Sequence, residues 1–369
     1  MKVALIVNGG VDPGGTRRVV PCFLWLIRRL AARHELHVFA LFQPGAPPHY
    51  RLYGAHVHHI GRPRTALRAF AELWREHRRH GFDILHAIMA SPAGTLATVA
   101  GRLLRRPSIV HLCGGELTAL PEIGYGELST ARGRRRMRFV FRNAHRLTAQ
   151  SAPMAEAAAR HGRAAVRLPL GVALDAWPPQ PPRPRERGRP ARLVHVGSLS
   201  PVKDQTTLLR AAAVLATRAV AFTLDVVGED TLHGRIQQEA REAGLLGTVR
   251  FHGFLEQDAV RAIVRDADLL VVTSRHEGAP IVLAEAAAAG VPTVGTAVGQ
   301  IEEWSPDAAV AVPVGDHGAL ARAIQALLDD DAGRLRIATG AQQRATAEDA
   351  DWTAERVCEL YDEIRLSRS

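Results

Sequence analysis

Three side chains in the second half of the chain, Lys203, Glu277 and Glu285, carry charge where charge needs a reason. Lys203 falls at the start of a helix predicted from about Asp204 to Ala216, the positive end of the helix dipole, so its placement makes sense if it points at an anion. Glu277 lies in a loop just before a second predicted helix, whose free N–H groups favour an anionic group such as a diphosphate. Glu285 follows it at Glu-x7-Glu spacing, in a run with no neighbouring countercharge. A buried carboxylate needs water or a hydrogen-bonding partner, and a ribose diol would serve; the alternative is that Glu285 faces solvent and Glu277 is an early-helix acid.

The surrounding elements fit such a site. Leu269 to Val272 is an apolar run too short for a helix and reads as a buried parallel strand. Pro280 is predicted as the first residue of the next helix, Gly290 as its stop, and Val291 to Thr296 as the following strand. A strand, loop, helix, strand unit carries its ligand edge at the carboxyl ends of the strands. Similar alternation runs along the whole chain, with strands predicted at Lys2 to Asn8, Leu36 to Phe42, Ala55 to Ile60, Asp83 to Ile88 and Ser108 to Leu112, then Arg192 to Val196, Phe222 to Gly228 and Val249 to Gly253. This predicts an α/β architecture with doubly wound parallel sheets. The loop after the first strand, with Gly14 and Gly15 before a helix to about Arg33, has neither G-x-G-x-x-G nor a P-loop lysine, and the next strand lacks an acid at its end, which disfavours a dehydrogenase.

The segment from Ser274 through Glu277-Gly278 to Glu285 and Gly290-Val-Pro292 resembles the signature of retaining glycosyltransferases of the GT-B fold, family 4 or group 1 type. The resemblance implies two Rossmann-like domains facing a cleft and a metal-independent, hexosyltransferase-type enzyme. It would move a sugar from a nucleotide-sugar donor to a glycan, lipid-linked or small-molecule acceptor, as in polysaccharide biosynthesis, with retained configuration and no cofactor. Glu277 would hold the donor sugar and Glu285 the ribose. The family's Gly-Phe-Gly is here Gly278-Ala279-Pro280, so backbone donation falls to Ala279 and Ile281. Gly197-Ser-Leu-Ser-Pro-Val-Lys203 resembles the diphosphate clamp, with Lys203 kept and Ser198 in the arginine position. Phe254 stands where members contact the base, and Gly14 with Gly15 would lie under the donor phosphates. Cys113-Gly114-Gly115-Glu116 resembles the sugar-side turn, Cys113 replacing the usual histidine, with His111 a candidate substitute. A non-catalytic nucleotide-sugar-binding protein and a sugar-nucleotide epimerase of similar architecture are the alternatives.

Other features weigh less. His56 and His58 share one strand face with His59 opposite, and without a third ligand nearby no metal is expected. Asp266-Ala-Asp268 precedes its strand and so lies at the edge away from the site. At 369 residues, the length suits two domains, expected at 1–175 and 192–350 around a Pro- and Arg-rich linker at 176–191, with a last helix in 351–369 crossing back to the first. The first 175 residues carry 26 Lys and Arg against 10 Asp and Glu, leaving 21 against 27 beyond. That asymmetry points to an anionic lipid surface or phosphorylated acceptor, not nucleic acid, with Arg-rich composition as the neutral alternative. The segment Gly133 to Arg146 reads either as a core-facing helix with a basic side or as an interfacial one. Neither a signal-peptide pattern nor paired cysteine spacing is present, so a cytoplasmic protein is expected, peripheral to the inner face of the membrane if the basic half binds lipid.

Overall fold

The computed structural model describes residues 1–186 and 188–367. Arg187 of the expected linker and Arg368 and Ser369 of the expected last helix lie outside them. The chain forms two compact units, Met1–Ala173 with Asp349–Ser369, and Leu174–Glu348.

The first unit is built on eight strands: β1 (Lys2–Val7), β2 (Glu35–Ala40), β3 (His49–Leu52), β4 (Ala55–His59), β5 (Ile84–Ile88), β6 (Ser108–Leu112), β7 (Arg146–Ala149) and β8 (Val166–Arg167). Their order is β3-β4-β2-β1-β5-β6-β7-β8. Every pair is parallel except β3 with β4. Central strands covered on both faces must be apolar throughout, and β1 is buried at all of its positions. The helix after the glycine loop begins at Pro21, later than the sequence suggested, because the loop closes on itself through an antiparallel bridge between Val11 and Val19. That helix, Pro21–Ala31, packs against the helix Ala350–Leu366, with Arg29 Nε and Nη2 donating to Asp351 at 2.7 and 3.0 Å. On helix Ala131–Asn143, Met137, Val140 and Phe141 enter the core while Arg132, Arg134, Arg135, Arg138 and Arg142 are exposed, so the helix packs one face into the core and leaves a basic side open.

The second unit carries β9 (Ala191–Val196), β10 (Phe222–Val227), β11 (Val249–Gly253), β12 (Leu269–Val272), β13 (Thr293–Thr296) and β14 (Val310–Val312), all parallel in the order β11-β10-β9-β12-β13-β14. The segment that composition marks as a linker is fastened along this unit. Trp177 is fully buried, Gln180 N–H donates to Ala288 O at 2.9 Å, and Arg334 Nη2 donates to Arg183 O at 2.7 Å. Among the described residues no helix is long and apolar enough to cross a membrane.

Candidate functional site

Lys203 and Glu277 come from two loops at the carboxyl ends of β9 and β12, neighbouring strands in the sheet. The loops are tied together by Arg275 N–H donating to Val202 O at 2.7 Å and by Thr273 Oγ1 donating to Lys203 O at 2.9 Å. Lys203 Nζ then lies 2.5 Å from Glu277 Oε1, and Ser274 Oγ donates to the same oxygen at 2.5 Å. Both charged side chains remain partly open to solvent.

The loop carrying Lys203 is held from beneath by a pair of buried polar side chains. His195 Nδ1 donates to Val271 O at 2.9 Å, and its Nε2 accepts from Gln205 Nε2 at 3.1 Å. Gln205 spends its other amide hydrogen on Ser198 O at 3.0 Å and accepts from Ser200 N–H at 3.3 Å. Burial holds His195 neutral, its pKa pushed down to about 4, which this pattern of one donor and one acceptor requires. Two glycines let the loops close up. A Cβ on Gly228, at φ +151°, would stand 2.0 Å from Gly197 O, and one on Gly299, at φ +50°, 2.2 Å from Gly278 O and 2.4 Å from Glu277 O.

Glu285 is buried on helix Ile281–Ala288, whose neighbours from Val282 to Ala288 are buried as well. The solvent-facing alternative is therefore excluded. Desolvation pushes its carboxyl up to about 8, opposed by a hydrogen bond from the Trp177 side chain. Pro280 caps this helix and Ile281 is its first residue, one position later than the sequence suggested. Gly278 is buried, whereas Ala279 and Ile281 are partly accessible, Ser198 is exposed, and Phe254 is half-exposed just after β11.

In the first unit, Gly14 N–H donates to Asp12 Oδ2 at 3.0 Å and Gly15, at φ +69°, to Asp12 O at 3.0 Å. Gln43 Oε1 accepts from Gly10 and Val11 N–H at 2.8 and 2.9 Å and so fixes the loop's entry. Glu116 is buried and accepts N–H bonds from Ala90, Cys113 and Gly114 at 3.2, 3.1 and 2.6 Å. Its carboxylate thus shapes the turn through the backbone. Cys113 is half-buried, and burial together with the Glu116 charge pushes its thiol well up. His111 points instead to Thr148 Oγ1, at 2.7 Å, buried and pushed down to about 3, and does not stand in for a histidine at position 113.

Asp266 and Asp268 are engaged structurally: Asp266 pairs with Arg192, and Asp268 accepts from Arg192 N–H at 2.8 Å. Trp177, Ser274, Gln205, Gly228 and Gly299 were not assigned site roles from sequence. A glycine directly after a strand, as at Gly228, was the available signal for close loop approach.

The glycosyl transferases group 1 family model matches residues 179–344, and the glycosyl transferase 4-like domain model matches residues 14–171. Glycogen synthase of Mycobacterium tuberculosis is 34% identical over 184 residues, 49% of this chain and 44% of that protein. The chain thus spans less than half the length of this relative. Sucrose-phosphate synthase from Thermosynechococcus elongatus has a similar fold, with TM-score 0.82 at 20% identity over 100% of both chains. The Anabaena protein HepE, solved in complex with UDP-glucose, gives TM-score 0.77 at 20% identity over 98% of this chain and 99% of that one.

Proposed function

The chain belongs to the group 1 glycosyltransferases of the GT-B fold, and from that premise we propose that it transfers a sugar from a nucleotide-sugar donor, with retained configuration and without a catalytic metal. The observation that carries this reading is the joining of Lys203 and Glu277 at one sheet edge, with Glu285 on the helix that follows. Lys203 meets the diphosphate as the C1–O bond breaks and the electron pair moves to the leaving phosphate, while the acceptor hydroxyl oxygen bonds to C1 on the same face and gives its proton to the departing phosphate oxygen. Backbone N–H groups at Ala279 and Ile281 add to that electrostatic stabilisation, the role a metal fills elsewhere. Glu277 takes sugar hydroxyls and Glu285 the ribose. Gly14 and Gly15 serve the donor phosphates, Phe254 the base, and Cys113, Gly114 and Glu116 the sugar or acceptor side. Ser198 offers a single hydrogen bond where an arginine would give two, so Lys203 bears more of the diphosphate charge. The UDP-glucose complex of the similar Anabaena protein HepE supports a UDP-sugar as the donor class.

The acceptor is a glycan, lipid-linked or small-molecule hydroxyl compound. The exposed arginines of helix Ala131–Asn143 favour one presented at an anionic membrane surface, reached from the cytoplasm.

Incubation with a panel of nucleotide sugars, read as nucleoside diphosphate released and glycoside formed, tests the reading. Wild type should turn over one donor, and Lys203→Ala should weaken nucleotide binding by about 1–3 kcal/mol, the worth of a charge-assisted hydrogen bond. Binding without turnover of any donor would leave a binding protein, and release of an isomerised sugar an epimerase. Unchanged affinity in Lys203→Ala would remove the diphosphate from this loop.

A further inference from the structure

A second cluster of chemistry-bearing side chains lies at the β3 edge of the first unit's sheet. His37 on β2, His56 and His58 on β4, His49 on β3, and Glu72 on helix Thr65–His80 line a cavity of about 490 Å³ with Glu35. The histidines on β4 alone lacked a third ligand. The fold supplies it from other elements: His49, His58 and Glu72 each present a donor atom, all within 4.8 Å of one another.

The hydrogen bonds of the cluster leave one contact unsupplied. Glu72 Oε1 is 3.3 Å from His58 Nδ1, His58 Nε2 is 3.0 Å from His37 Nδ1, and His37 Nε2 is 3.2 Å from Glu35 Oε1. Each of these three contacts needs one hydrogen between its atoms. Ionised carboxylates supply none and two neutral imidazoles supply two, so the row is one positive centre short. At the Glu35 end positive charge is already present, for Lys2 Nζ stands 2.7 Å from Glu76 Oε1 and 3.1 Å from Glu35 Oε1. Arg75 likewise pairs with Glu72, but through Oε2; with the two ring hydrogens spent on the two contacts of His37, the link left without one is that between Glu72 Oε1 and His58 Nδ1. A third proton there would create an imidazolium on a buried ring stacked on Phe39 at 4.6 Å, with little water to solvate it.

We propose that His49, His58 and Glu72 form a binding site for a divalent cation of the Zn²⁺ type. Imidazole and carboxylate donors suit such ions. In a tetrahedral site with donors about 2.0–2.2 Å from the ion, the donors stand about 3.4 Å from each other, and the His58 Nδ1 to Glu72 Oε1 separation is 3.3 Å. With the cation on His58 Nδ1, His58 donates Nε2–H to His37 and His37 donates Nε2–H to Glu35, so these two links carry one hydrogen each, the ion bridges the third, and both rings stay neutral. His37 is then the positioning residue that fixes the ligand's tautomer. Glu72 binds through Oε1, because Oε2 is paired with the exposed Arg75. The fourth position is open to water. The ion ties β3, the only antiparallel strand of its sheet among the described residues, to β4 and to the helix above them.

The test uses the untagged full chain, stripped with chelator and titrated with Zn²⁺ or Mg²⁺, with bound metal counted by mass spectrometry. Wild type should hold one equivalent of Zn²⁺ in preference to Mg²⁺ and become harder to unfold. His49→Gln, at an exposed position that should not compromise folding, and Glu72→Gln should each weaken Zn²⁺ binding by at least about tenfold, while His37→Gln should cost on the order of 10- to 100-fold at unchanged stoichiometry. His56→Gln should bind as wild type. Failure of wild type to retain Zn²⁺, with imidazole ¹⁵N shifts showing a shared cation on His37 and His58, would overturn the proposal in favour of the extra proton. Wild-type binding in both His49→Gln and Glu72→Gln, or loss on Glu35→Gln but not on Glu72→Gln, would overturn the assigned ligands.

Discussion

Replacing Glu285 with Gln isolates the titration of one buried carboxyl. Burial raises its pKa from 4.5 to about 8. Because the folded value lies above the unfolded one, the stability it contributes is fully present below the unfolded pKa and is lost as pH rises through the folded pKa. Between pH 5.5 and 8 the unfolded carboxyl is ionised while the folded one keeps its proton; at about 1.4 kcal/mol per unit this amounts to about 3 kcal/mol. Other groups titrate nearby with the opposite sign. His86 and His195, pushed down to about 4, and His111, to about 3, contribute stability that is lost as pH falls below the ordinary histidine range. Glutamine keeps the shape and the acceptor for Trp177 but does not ionise, so the gap between wild type and Glu285→Gln cancels the histidines. Urea unfolding at pH 5.5, 7 and 8.5 should show wild type losing about 3 kcal/mol relative to Glu285→Gln across the series. A ribose diol donating to Glu285 favours its ionised form, so nucleotide affinity should rise by up to about tenfold per pH unit toward pH 8 in wild type and stay flat in Glu285→Gln. A stability gap that does not move with pH would refute the buried, protonated carboxyl. Parallel affinity profiles would separate the ribose from it.

Three further outcomes are expected. Gly299→Ala places a methyl 2.2 Å from Gly278 O at φ +50°, so it should lower stability by on the order of 1–3 kcal/mol and weaken nucleotide binding; calorimetry showing wild-type values for both would mean that the loops do not need this approach. Binding to anionic vesicles should be strong at low salt and fall as the screening length shrinks from about 10 Å at 0.1 M to about 3 Å at 1 M. Serine at Arg132, Arg134, Arg135 and Arg138 should abolish it, and sedimentation of that variant at wild-type level would remove the helix as the contact. The Cys113 thiol, pushed up by burial and Glu116, should alkylate slowly at pH 8 and faster as pH rises; labelling at the rate of a free thiol, followed by mass spectrometry, would contradict that environment.

Much of the framework was legible because it rests on local pattern. Runs such as Leu269–Val272 are apolar at every position only because both faces are covered, and alternating strands and helices lead to parallel sheets. What stayed hidden depends on partners far away in sequence. Strand β3 is a polar segment, His49–Leu52, after a Pro- and Gly-rich turn, and becomes a strand only by pairing with β4. Trp177 looked like part of a linker, since composition cannot reveal that its side chain reaches Glu285. The choice for Glu285 between solvent and core stayed open for the same reason. The helix Ile281–Ala288 has almost no amphipathic pattern, and its burial depends on the helix Asp331–Ala347 packed against it.

Sequence resemblance assigns Glu277 to the donor sugar and Lys203 to the diphosphate as separate contacts, yet in the fold they form one ion pair at 2.5 Å with Ser274 on the same oxygen. On the proposed function, this pair gives donor binding a built-in exchange. A diphosphate draws the Lys203 ammonium away from Glu277, and the released carboxylate keeps the Ser274 hydroxyl while gaining acceptor capacity for sugar hydroxyls. The two contacts therefore strengthen together, since neither charge is left alone in a partly buried site, where an unpaired ion is costly. A nucleoside diphosphate without its sugar satisfies Lys203 but leaves Glu277 without that compensation, whereas the complete donor satisfies both. Discrimination for the complete donor over its product is thus built into one pair of side chains, and Glu277→Gln, which removes the competing charge, should bind the nucleoside diphosphate at least as tightly as wild type while losing that preference.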